Sequence, residues 1–180
     1  MNAVFRITTA IDTVNDWVGQ GAAWLAIVMV LVQFFIVILR YVFGENFIWM
    51  QEGVVYLHAA LFMFGAAYTL LHEGHVRVDI FYRTAEPRTK AMVDLLGALV
   101  FLLPVCGLLL SVSWPYVAQS WSMWEGSQET SGIQAVFLRK SLILAFAGLM
   151  ALQGVALALS ALLTLSGHKP PDVQVDEVPV

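Results

Sequence analysis

Four stretches of this 180-residue chain contain no Asp, Glu, Lys or Arg: Trp17–Leu39, Gly53–Leu71, Leu95–Trp124 and Ser141–His168. Each carries the roughly 20 apolar residues that a helix needs to cross a hydrocarbon core. One such stretch is compatible with a buried core helix of a soluble protein, but four in so short a chain are not. A backbone in lipid must satisfy its own hydrogen bonds, so the stretches are expected to be helices. The composition agrees: 59% of the residues are hydrophobic and 12% are charged, about half the charged share of an ordinary soluble domain. The predicted class is an all-α membrane protein, with four transmembrane helices and interfacial amphipathic segments.

Charge and cysteine narrow the functions. The formal charge of −4 comes from acids in loops and in the C-terminal region, and no basic cluster suggests nucleic acid. Cys106 is the single cysteine, which excludes an intrachain disulfide and the paired thiols of membrane redox enzymes. Arg6 is a weak start for a signal peptide, and the apolar stretch behind it is as long as a full span.

Residues 1–20 read as an amphipathic lead. Val4, Ile7, Ile11, Val14 and Val18 recur at three- and four-residue steps and leave Asp12, Asn15 and Asp16 on the other side. The lead is either a helix lying on the membrane or the lower end of the first span. That span is expected to reach about Tyr41, with a break at Phe43-Gly44, and the second to run over about 53–71. Trp49 at its edge has the position of an interfacial anchor. Glu86-Pro87 predicts a helix start, since Pro suits a first turn. The third span follows over about 91–113, with a kink expected at Pro104. Trp114, Val117, Trp121 and Trp124 then fall within about 80° of one another on a helix, which fits an interfacial helix or an obliquely emerging span. The fourth span is expected over about 138–165, and residues 166–180 read as a disordered tail.

Lys and Arg counts set the orientation. The N-terminal side, the loop between spans two and three and the C-terminal side together hold six, namely Arg6, Arg77, Arg83, Arg88, Lys90 and Lys169. The opposite side holds three, Arg40, Arg139 and Lys140. The positive-inside rule then places both termini in the cytoplasm.

Polar residues inside the spans are few: Gln33, His58 and Gln153 stand out, and hydrogen bonding between helices is their expected role. No span centre holds a carboxylate, and no paired broken helices are evident, which argues against an autonomous ion-driven carrier. Bis-histidine haem ligation fails on depth, because His72 lies 14 residues beyond His58, about 21 Å along a helix. The His72-Glu73-Gly74-His75 run lacks the spacing of a zinc-protease motif. No catalytic residue, metal ligand or cofactor is assigned. Ala147, Ala151, Gly154, Ala158 and Ala161 form one slim face on the fourth span, suited to close helix approach either inside this chain or against a partner. Arg40 and Glu52 are placed to pair across the first hairpin, with Glu52 at a helix N-terminus. Alternatively, Arg40 snorkels to headgroups. His72, His75, Arg77 and Asp79 form a mixed donor–acceptor cluster at the end of the second span.

In order, these landmarks resemble the small membrane subunit of the tripartite ATP-independent periplasmic (TRAP) transporters, over about residues 20–165. The resemblance is carried by Arg40-Tyr41-Val42-Phe43-Gly44, then Trp49 and Glu52, then Gly65-Ala66-Ala67. It continues through His72–Asp79 and through Ser127-x-Glu129-x-Ser131-Gly132. Phe137-Leu138-Arg139-Lys140 departs from it, where a proline is expected. The resemblance implies a non-enzymatic subunit in a bacterial inner membrane, partnered by a large membrane subunit and a periplasmic substrate-binding protein. It implies uptake of a small organic acid, with sodium coupling in the large subunit and a scaffolding role for this one. Arg40, Trp49, Glu52, His72, His75, Arg77 and Asp79 would maintain fold and subunit contacts, and Glu129 would help meet the binding protein. Two other readings stand beside it: a membrane anchor of a redox complex, and an autonomous small carrier.

Overall fold

The computed structural model describes residues 2–75, 82 and 84–168. Arg77, Asp79, Arg83 and Lys169 lie outside them, as does the expected tail beyond His168. The regular structure of the described residues is all helical, and four helices are long and apolar enough to span a membrane. The first span is α1 (Asn2–Val42) and the second is α2 (Ile48–Leu71). The third runs over Pro87–Ser122, as α3 (Pro87–Leu96), a π-helical stretch (Gly97–Leu102) and α4 (Leu103–Ser122). The fourth is α5 (Val136–Leu165).

The helices extend past several of the expected boundaries. Helix α1 passes through residue 20 without a break, so the N-terminal lead and the first span are one helix, about 60 Å long at 1.5 Å per residue. Helix α2 starts at Ile48, a turn earlier than its charge-free stretch. The Trp-rich segment continues the third span to Ser122, and Val117 is buried within it. Pro104 is accommodated by the wider turns of the π-helical stretch just before it. Proline lacks an amide donor and crowds the carbonyl four residues back, and a π-turn relieves both without ending the helix. Glu86 and Pro87 open α3 as their pairing predicts. Ser166–His168 close α5: Gly167 takes the left-handed conformation (φ +79°), and the His168 amide reaches back to the Leu163 carbonyl at 3.0 Å. That is the usual glycine-terminated helix end.

Helix α5 is the hub. Among the described residues it packs against α1, α2 and all parts of the third span, whereas the third span packs on α5 alone. Its slim face explains why. Ala147, Gly154, Ala158 and Ala161 are buried, and Ala151 is half-buried. A Cβ added at Gly154 would come within 2.9 Å of the Leu102 side chain. Because α2 and the third span do not pack together, an apolar groove of about 640 Å³ opens over α5, lined by Val18, Phe64, Leu110, Leu144, Gly148 and Leu152.

The lower third of α1 turns its small and polar side into the bundle. Thr8 and Asn15, each 1% exposed, and Ala22 point into the bundle, while Ile7 and Val14 point out. In water an amphipathic helix hides its apolar side; in a bilayer the surroundings are apolar, so the small and polar side turns inward.

Candidate functional site

Polar contacts gather at the two ends of the spans. At the end of the bundle that carries the N-terminal part of α1, the Asn15 amide donates to Gln153 Oε1 at 2.6 Å, and Gln153 Nε2 donates to Asp12 Oδ1 at 3.0 Å. These bonds join α1 to α5. One turn further along α1, Asp16 lies 3.0 Å from His72 Nε2 at the end of α2 and accepts from Gln20 at 2.7 Å. The Tyr68 ring sits 4.2 Å from that of His72, directly against Gly19, where an added Cβ would fall 2.2 Å from the Tyr68 ring. Only glycine allows this approach of α1 to α2. Tyr82 donates to Asp94 Oδ2 at 2.7 Å, tying the second loop to α3.

At the opposite end the loop between α4 and α5 is clasped twice. Glu52 accepts from Ser127 Oγ at 2.5 Å and from the Ile133 amide at 2.6 Å. Lys140 donates to Glu125 at 2.5 Å and sits 4.0 Å over the Tyr116 ring. The ammonium beside Glu125 holds its carboxyl below the ordinary carboxylate range. Arg139 lies 5.3 Å over the Tyr56 ring. Behind the loop, Phe137 is buried between Trp121 and Trp124, at ring-centroid distances of 4.7 Å and 5.2 Å. Trp121 also donates to Ser141 Oγ at 2.8 Å. An aromatic wedge thus begins the fourth span where the resemblance suggests a proline. A Cβ at Gly132 would press on Ser127 and Glu52, and one at Gly126 would displace the Gln134 amide.

The structure separates several residues that the sequence groups together. Arg40 is exposed at the end of α1 and does not pair with Glu52, whose partners lie 75 and 81 residues along the chain. Nor is Glu52 at a helix N-terminus, since α2 begins at Ile48. Trp49 is 53% exposed in the first turn of α2, beside Phe47. His72 turns to α1, His75 is exposed, and Arg77 and Asp79 lie outside the described residues. Glu129 is exposed at the loop surface, and its amide donates to Ser127 Oγ. Of the three mid-span polar residues, only Gln153 bonds between helices. Gln33 and His58 face out of the chain, His58 with its ring 5.0 Å from that of Phe62.

Asp12, Asn15 and Asp16 were absent from the sequence-predicted site. Their signal was available: Thr8, Asp12, Asn15, Gly19 and Ala22 recur at steps of four, three, four and three, which is one helix face of small or polar residues. Lys140 and Glu125 carry no comparable signal, because only the folded loop brings them together.

A multi-pass helical membrane subunit, tied at both ends and holding no Asp, Glu, Lys or Arg in the middle of a span, is the class that fold and site define. The chain belongs to the family described as tripartite ATP-independent periplasmic transporters, DctQ component, whose model matches residues 29–164. This is the small membrane subunit of TRAP transporters. The chain is also similar to the C4-dicarboxylate TRAP transporter small permease protein DctQ of Vibrio cholerae serotype O1 (strain ATCC 39315 / El Tor Inaba N16961), with 34% identity over 88 residues. That match covers 49% of this chain and 38% of the relative, so the chain spans well under two thirds of the relative's length. No solved structure matches.

Proposed function

We propose that this subunit is a stationary scaffold for a large permease subunit in binding-protein-dependent, sodium-coupled uptake of a small organic acid. The name of its Vibrio relative suggests a C4-dicarboxylate as the acid. One observation carries the reading. Four charged groups near the ends of the spans are engaged within the chain, Asp12 and Asp16 at one end and Glu52 and Lys140 at the other. A substrate or ion pathway through the chain would need polar groups lining an internal route at mid-depth, whereas the mid-span Gln33 and His58 face out of the chain. Two locked ends suit an element that holds still while a partner moves. On this reading the end that carries Asp12 and Asp16 is cytoplasmic, the loop over 123–135 is periplasmic and faces the binding protein, and the residence is the bacterial inner membrane.

The test is uptake of radiolabelled succinate into cells deleted for this gene and complemented with the tagged chain, with and without sodium. Membranes are extracted in mild detergent in parallel to ask what accompanies the tag. Restored, sodium-dependent uptake together with a larger polytopic partner is the expected result. Uptake by this chain alone in liposomes would overturn the scaffold role. Purification without any large membrane partner would overturn the subunit role.

A further inference from the structure

His58 is the one mid-span histidine, and it points away from the bundle. It lies ten residues from Ile48 and thirteen from Leu71, about 15 Å and 20 Å along the helix. Val55, His58 and Phe62 recur at steps of three and four, and all three are exposed on the side of α2 that faces neither α1 nor α5. Phe62 is 67% exposed. Apart from ring contact with Phe62, His58 makes no polar contact within the described chain, whereas its neighbours at either end of α2, Glu52 and His72, are both hydrogen-bonded.

An imidazole always carries at least one N–H donor, and in its neutral form one acceptor as well. Acyl chains satisfy neither. The side chain is also too short to snorkel over 15 Å to a headgroup, as Lys or Arg does near a helix end. Intramembrane polar groups of this kind normally face protein. Resting on the scaffold reading above, we infer that the Val55–His58–Phe62 stripe is a docking face for a spanning helix of the large permease subunit, one that presents a hydrogen-bonding side chain at mid-depth. A second copy of this chain fits less well. Close self-association of spanning helices uses small residues that let backbones approach, and this stripe is two bulky rings and a valine.

The inference also accounts for the distribution of polarity on α2. Bonds at its ends are satisfied internally, so they fix the hairpin and the outer loop. The mid-depth group is left for another chain, where it would set the depth register of the two proteins as well as their contact.

The experiment uses the complete transporter in native membranes. A photo-crosslinking residue replaces Phe62, and separately His58 is changed to Leu and to Gln. The expected outcome is a crosslink from position 62 to the large subunit, at least a fivefold lower recovery of that subunit with His58→Leu, and near-normal recovery with His58→Gln. His58→Leu should leave the isolated chain's thermal unfolding unchanged, because no hydrogen bond within the chain is lost. Crosslinks only to lipid or to a second copy, with the large subunit still co-purifying, would overturn the assignment of this face. Failure of the large subunit to co-purify with the unaltered chain would instead overturn the scaffold reading on which it rests.

Discussion

Replacing Gln153 with leucine removes the acceptor of the Asn15 amide and the donor to Asp12 in one step. Asn15 is 1% exposed and Gln153 is 5% exposed, so water does not replace the lost bond at Asn15. Stranding a buried amide costs about 1–3 kcal/mol. Asp12 is half-buried near the end of the bundle and can be rehydrated, so its lost bond counts for less, on the order of the 0.6 kcal/mol typical between membrane helices. Burial of the new leucine offsets part of the loss. The expected net destabilisation is ~2 kcal/mol, roughly thirtyfold in the folding equilibrium. Reversible unfolding of the purified chain in mixed micelles of rising SDS fraction measures it, followed by helix-sensitive circular dichroism. The companion variant Asn15→Leu/Gln153→Leu removes both amides, which is far less costly than removing one, and should regain about 1 kcal/mol. An unchanged single variant would refute the reasoning, and so would a double variant less stable than the single one.

Two further predictions concern the helix hairpin and the outer loop. Gly19→Ala places a methyl 2.2 Å from the Tyr68 ring and should destabilise the α1–α2 packing by about 1–3 kcal/mol in the same micelle titration; full stability with Tyr68 intact would show that the contact is not required. Because Glu125 is held below its ordinary value of 4.5 by Lys140, its clasp is complete above that value and is lost only as pH falls through the lower, folded value. Tryptophan fluorescence beside the clasp, at Trp121 and Trp124, should therefore be flat from pH 7 to 5 and change below 4.5. The Lys140→Met variant should move the change to higher pH, and an unmoved midpoint would remove Lys140 as the cause.

The number of spans was legible in the sequence because a bilayer imposes one strong local rule, a charge-free run of sufficient length, and each span can be tested against it alone. Local chemistry also located the start of α3 at Glu86-Pro87, and it marked Pro104, which a π-helical stretch precedes. Facing was harder. The same periodicity that marks the lower part of α1 as two-sided does not say which side meets protein, and the answer inverts between water and lipid. Pairing was harder still. Arg40 is the nearest cation to Glu52 along the chain, yet the partners of Glu52 come from a loop whose position depends on the depth at which α5 docks against α2. The slim face of α5 was visible as a pattern, and packing against Leu102 shows what it meets inside the chain.

The central place of α5 has a consequence for how the chain is made. It is the last of the four spans to leave the ribosome, and the third span packs on nothing else among the described residues. Until α5 is inserted, α1 and α2 can already close as a hairpin through Gly19–Tyr68 and Asp16–His72, while the third span waits in the bilayer without a neighbour. Assembly is then a final docking event, in which one late helix gathers earlier ones and draws the outer loop onto Glu52. Chains stalled before Val136 would hold a hairpin able to close and a third helix with nothing to pack on.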